Sequence, residues 1–131
     1  MSKLNDYVHT ADWQNEKHVP VIDAPDAFKT GEFTAVTVSV GKQIPHPNTT
    51  EHFIAWIALH FVPTGAKSSF EIGRCEFSAH GQAATGPNTG FVHTDSSVTF
   101  KVKLTQPGEF HATSYCNIHG LWESSKVATC N

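Results

Sequence analysis

A chain of 131 residues with a formal net charge of -3, 39% hydrophobic and 16% charged residues has the size of one globular unit with one core. Those values exclude a strongly basic nucleic-acid binder, and no run approaches the ~18 consecutive apolar residues of a membrane-spanning helix. Three scattered cysteines, Cys75, Cys116 and Cys130, do not form a disulfide framework, and MSKLNDYVHTADW lacks the apolar segment of an export signal, so reduced thiols in a cytoplasm are expected.

In chain order, HVPVI (18–22) predicts a short strand and DAPDAFKTGE (23–32) a turn region. TAVTVSV (34–40) alternates, with Val36, Val38 and Val40 on one face and Thr37 and Ser39 on the other. GKQIPHPNTTE (41–51) reads as a loop. FIAWIALHF (53–61) is apolar on both faces and predicts a central strand. Strict alternation puts Phe53, Ala55, Ile57, Leu59 and Phe61 together, and His60 beside Trp56 on the opposite face. FEIGRCEF (70–77) loses its alternation at Gly73, where a bulge is expected. FVHT (91–94) is a short candidate strand. VTFKVKL (98–104) alternates cleanly, and FHATSYC (110–116) puts Phe110, Ala112, Ser114 and Cys116 on one side. KVAT (126–129) closes the series. No window of ten or more residues carries a helical stripe. About seven short strands with turn-rich connections predict an all-β fold, an antiparallel β-sandwich in a single domain over 1–131.

Histidine is the unusual residue, with nine dispersed copies against nine lysines and arginines together. Three segments gather candidate ligands: NEKHVPV (15–21) with Glu16, Lys17 and His18; IPHPNTTEH (44–52) with His46 and His52; and YCNIH (115–119) with Cys116 and His119. Pro45 and Pro47 stiffen the loop around His46, and Gly120 can turn the chain after His119. His9, His93 and His111 sit in polar or terminal contexts and read as surface residues. His80, in SAHG, is either a turn residue or a neighbour of a site. Cys75 and Cys130 read as small buried or tail cysteines.

Imidazoles with a thiolate suit zinc, copper or iron rather than magnesium or calcium. Structural zinc usually takes several thiolates, and only one is in place here. Blue copper adds a weak axial Met after its Cys/His loop, whereas the one methionine here is Met1. Four histidines and one cysteine leave an octahedral metal one open position, which suits an iron that binds a small molecule.

EKHVPVI (16–22), VGKQIPHPNTTEH (40–52), GPNT (86–89) and SYCNIHGLWE (114–123) together resemble the single-iron superoxide reductases, or neelaredoxins, whose domain is also the catalytic part of desulfoferrodoxins. The resemblance runs from about Trp13 to Glu123 and implies an immunoglobulin-like β-sandwich. It implies one mononuclear non-haem iron held by His18, His46, His52 and His119 in a plane with the Cys116 thiolate on the axis. Glu16 is implied as the sixth ligand of the resting ferric state and Lys17 as the functional cation. The implied activity is one-electron reduction of superoxide to hydrogen peroxide without release of dioxygen. Rubredoxin or a similar redox protein is the implied electron donor, and a homotetramer the implied assembly. Phe53 stands where many members carry a further, non-ligating histidine, and Cys75 replaces a usual aliphatic residue. The tail after Glu123 is not a strong match, and no C-x-x-C module precedes the domain. The rival readings are a cupredoxin-like electron-transfer protein and a plain β-sandwich interaction module.

Overall fold

Alternating apolar residues need a partner surface, and here two sheets supply it to each other. The computed structural model describes residues 1–131 and contains β1 (Pro20–Asp23), β2 (Ala27–Phe28), β3 (Phe33–Val40), β4 (Ile54–Pro63), β5 (Phe70–Glu76), β6 (Ser97–Lys103), β7 (Gly108–Cys116) and β8 (Gly120–Cys130). One sheet has the order β1-β3-β6 and the other β2-β8-β7-β4-β5. Every pairing is antiparallel except β2 with β8. A single 3-10 turn at Leu4–Tyr7 precedes the sandwich, and no helix is long and apolar enough to cross a membrane.

The core lies between the sheets. Val36 and Val38 of β3 and Val102 of β6 face Ile57, Leu59 and Phe61 of β4 and Phe110 and Ala112 of β7. Phe110 is the aromatic centre, with ring centroids 5.5 Å from Phe28 and 4.9 Å from Phe61. Burying a side chain of that size contributes about 3 kcal/mol by area alone.

Eight strands stand where the patterning predicts about seven. The addition is β2, two residues inside the stretch read as a turn region; Phe28, fully buried there, is what ties it down. The final strand runs through Gly120–Cys130 rather than only 126–129, because β7 and β8 form a hairpin with Cys116 opposite Gly120. FVHT does not become a strand and contributes only an isolated bridge from His93 to His80. The expected bulge exists beside Gly73: Leu59 pairs with Gly73 and His60 with Glu71, leaving Ile72 over.

A second bulge went unseen in the sequence. Ile54 pairs with Cys116 and Trp56 with Tyr115, so Ala55 is the surplus residue and the faces switch there. Ile54 therefore joins the core with Ile57, although strict alternation separates them. On the outer face Trp56 stacks on Tyr115 (6.0 Å, 11°) and under Arg74, whereas His60 pairs with Glu71 (3.6 Å) instead of packing beside Trp56.

This topology gathers three pieces of chain at one end. Pro20 opens β1 opposite Val40, which closes β3; Ile54 opens β4 opposite Cys116, which closes β7. The segment before β1, the β3–β4 loop and the β7–β8 turn thus meet at the same pole.

Candidate metal centre

His18 is buried at the entry to β1, and the buried Ser114 hydroxyl of β7 donates to its carbonyl oxygen at 3.2 Å. That bond ties the segment before β1 to the opposite sheet. The Glu16 carboxylate accepts from the His18 backbone N–H and from Nδ1 of its ring, the latter at 3.0 Å. With Nδ1–H given away, Nε2 is left as an acceptor and faces Nδ1 of His119 at 3.1 Å. The indole of Trp122 stacks on the His18 ring (4.9 Å, 15°) and donates to the His119 carbonyl at 3.3 Å.

The β3–β4 loop is folded back tightly. Gly41 has φ of 88°, and a Cβ there would sit 2.7 Å from the His46 backbone nitrogen, so no other residue fits without displacing His46. His46 Nδ1 donates to the carbonyl of Pro47 at 2.6 Å. Its Nε2 is buried and has no partner in the chain. An orphaned buried acceptor costs about 1–3 kcal/mol unless something binds it. Burial pushes the His46 imidazolium pKa down to about 4, and the positive charge of Lys17, and of His18 and His52 when protonated, pushes the same way. His52 lies in a turn closed by Thr49, whose hydroxyl accepts from the His52 N–H at 3.1 Å. Its pKa is lowered by burial first, then by His119, His18 and Lys17. Both rings are therefore neutral, ligand-ready imidazoles at pH 7.

Cys116 ends β7 on the buried face, and Gly120 (φ 82°) turns the chain so that His119 doubles back. The His119 backbone N–H donates to Cys116 Sγ at 3.4 Å, and His52 Nε2 lies 3.2 Å from the same sulfur. Ligand atoms of His18, His52, Cys116 and His119 all fall within 4.8 Å of one another. That is close to the span around one ion, about twice a ~2.1–2.3 Å ligand bond. His46 joins through its ring contacts with His18 (4.8 Å) and His52 (4.7 Å). Three imidazoles, one cysteine sulfur and an unpartnered fourth imidazole fit a borderline-soft transition metal.

Of the remaining expected site residues, Lys17 is half-buried, makes no ion pair, and bears on His46 and His52 through its charge. The Glu16 carboxylate sits on the outer nitrogen of His18, away from the four converging donors. Burial would raise its carboxyl pKa, but the His18 hydrogen bonds and the charges of His18 and Lys17 hold it below the usual value.

Several supporting residues escaped the sequence reading. Asn117 donates its backbone N–H to the Phe53 carbonyl (3.2 Å), accepts from the Phe53 N–H through Oδ1 (2.9 Å), and donates Nδ2 to the Glu51 carbonyl (2.8 Å). One amide thus clamps the Cys116–His119 turn to the His52 loop. His80 resolves as a buried brace: its ring stacks on Phe53 (4.0 Å) and bonds Asn48 Oδ1 and the Phe77 carbonyl, both at 2.7 Å. Only the Asn residues in PHPN and YCN, adjacent to candidate ligands, hinted at such roles.

The family model for Desulfoferrodoxin matches residues 10–125, and the chain belongs to that family. It is 56% identical to a neelaredoxin from Megalodesulfovibrio gigas, over 95% of this chain and 96% of that protein. It is 48% identical to the superoxide reductase of Pyrococcus furiosus, over 92% and 95%. The fold matches a crystal structure from Thermotoga maritima with a TM-score of 0.98 at 53% identity, over 100% of this chain and 99% of that one. The family is an iron family, which sets aside the cupredoxin-like reading. Cys130, the one other sulfur after His119, lies at the far end of β8.

Proposed function

We infer that this chain is a superoxide reductase, an oxidoreductase that reduces superoxide to hydrogen peroxide at one mononuclear iron. The observation that carries the reading is the convergence of His18, His52, His119 and Cys116 beside the unpartnered Nε2 of His46. Those five residues are the proposed ligands. When bound there, iron supplies the single electron that superoxide accepts.

The chain's own residues account for the rest. The half-buried Lys17 ammonium, with no carboxylate partner, draws a small anion to this pole and stabilises negative charge beside it. The His119 N–H donates to the Cys116 sulfur and so moderates how much electron density the thiolate delivers. Glu16 holds the His18 Nδ1 proton and fixes that ring's tautomer and direction. Glu16 is also proposed as the sixth ligand of the ferric state, a role in which its carboxylate would turn from His18 Nδ1 toward the iron. The electron donor is proposed to be a rubredoxin-like protein that meets the exposed Ile44 and Ile118 beside the two ligand loops. A homotetramer and a cytoplasmic location are proposed on the resemblance alone.

Iron content with a superoxide assay that also follows dioxygen tests the reading. One iron per chain and superoxide loss without dioxygen are expected; dioxygen at the dismutation ratio would replace it with a dismutase. Lys17→Ala should slow the second-order reaction and flatten its salt dependence while iron content stays unchanged.

A further inference from the structure

The outer face of the five-stranded sheet carries two histidine–glutamate pairs that the iron chemistry does not use. His60 of β4 and His111 of β7 are direct cross-strand partners. Both project outward, since their neighbours Leu59, Phe61, Phe110 and Ala112 are in the core. Cβ atoms of such partners lie about 4.5–5.5 Å apart, close enough for two imidazoles to share one ion. Each imidazole also has its own carboxylate. His60 Nε2 is 3.6 Å from Glu71 Oε1, and His111 Nε2 is 2.7 Å from Glu109 Oε1. Neighbouring ligands around a tetrahedral ion with ~2.1 Å bonds are about 3.4 Å apart, close to the His60–Glu71 separation, whereas His111 and Glu109 stand at hydrogen-bond distance, and an ion would replace the proton between them.

We propose that His60 and His111, with Glu71 and Glu109, form a surface site for a divalent transition ion of the zinc or copper class, separate from the iron centre. The donor set of two imidazoles and two carboxylates selects zinc or copper over magnesium or calcium. The two Nε2–carboxylate pairs are separately formed, and the ion draws them together. The side chains are 29% (His60), 50% (Glu71), 41% (His111) and 42% (Glu109) exposed, which leaves room for the rotamer changes this needs. Arg74, 3.8 Å from the Glu71 carboxylate, is the one competing cation in contact with the four. Cys116 lies five residues along β7 from His111, about 17 Å at the rise of a strand, so one ion cannot serve both places. A bound ion would join three adjacent strands, β5, β4 and β7, across the middle of the sheet.

The test is a zinc titration of the iron-loaded protein, with iron followed by its thiolate charge-transfer absorbance and by elemental analysis. One zinc per chain is expected in addition to the iron, with micromolar affinity and a rise in Tm. His60→Asn and His111→Asn should each weaken zinc binding at least tenfold, and Glu109→Gln several-fold, with iron content and superoxide reduction unchanged. Zinc taken up only as iron is lost would place it in the iron site and overturn the proposal. Failure to bind a second metal, or equal affinity in the His60→Asn/His111→Asn double variant, would overturn it as well. Because the readout is zinc stoichiometry, it stands apart from whether the iron centre reduces superoxide.

Discussion

The buried face of β7 holds two different kinds of interior on one strand. At its start Phe110 and Ala112 are fully buried among Phe28, Phe61 and Leu59, where burial supplies stability and nothing else. At its end Ser114 and Cys116 are just as buried, yet each serves a polar contact: the hydroxyl to His18 and the sulfur among His52 and His119. The same alternation that builds a core therefore also delivers a cysteine sulfur to the pole where the loops meet. The lesson is that burial at the Phe110 end lowers the free energy of folding, whereas at the Cys116 end it shields a polar cluster in which the His46 Nε2 still has no partner in the chain.

Substitutions at the two ends should separate these roles. Cys116→Ser should abolish the sulfur-to-iron charge-transfer absorbance and superoxide reduction, while the metal-free chain melts near the wild-type temperature; retained colour would remove Cys116 from the site. Phe110→Ala should cost about 3–5 kcal/mol in denaturant unfolding. Any folded fraction should still bind iron, and loss of iron from folded Phe110→Ala protein would erase the distinction between the ends. Asn117→Ala leaves the Phe53 N–H without its partner and should cost about 1–2 kcal/mol, with faster iron release to a chelator. Ser114→Ala removes one buried donor to His18 and should cost about 1 kcal/mol.

A pH titration of the metal-free protein sharpens the same contrast. The His46 pKa of about 4 in the fold lies below the ordinary value of 6.5, so between those values the unfolded chain binds more protons. Stability should therefore fall as pH drops from 6.5 to 4, with His52, lowered in the same direction, adding to the loss, and Glu16, held below its usual value, extending it to lower pH. His46→Gln should flatten that slope, and Phe110→Ala should shift the whole curve without changing its shape.

The candidate ligands were legible because their surroundings are: prolines beside His46, glycine after His119, and a strand that ends on Cys116. The sandwich was legible from alternation in β3, β6 and β7. What alternation could not give is a position where it breaks, and the surplus Ala55 moved Ile54 into the core unannounced. Nor could it give partners distant in sequence. Asn117 meets Phe53 across 64 positions and Ser114 meets His18 across 96, and neither residue type advertises such a role. His60 was misplaced for a related reason: residues two apart from it share its face, but the bulge at Ile72 brings Glu71 opposite it and Arg74 over Trp56.

The amide of Asn117 has one more consequence. Because a single side chain latches the Cys116–His119 turn to the Phe53 backbone, neither loop can swing aside alone. Hydrogen exchange at the Phe53 and Asn117 amides should then proceed at one common rate. Escape of the ion should follow that rate as a single gated event, and not as a ligand-by-ligand unravelling.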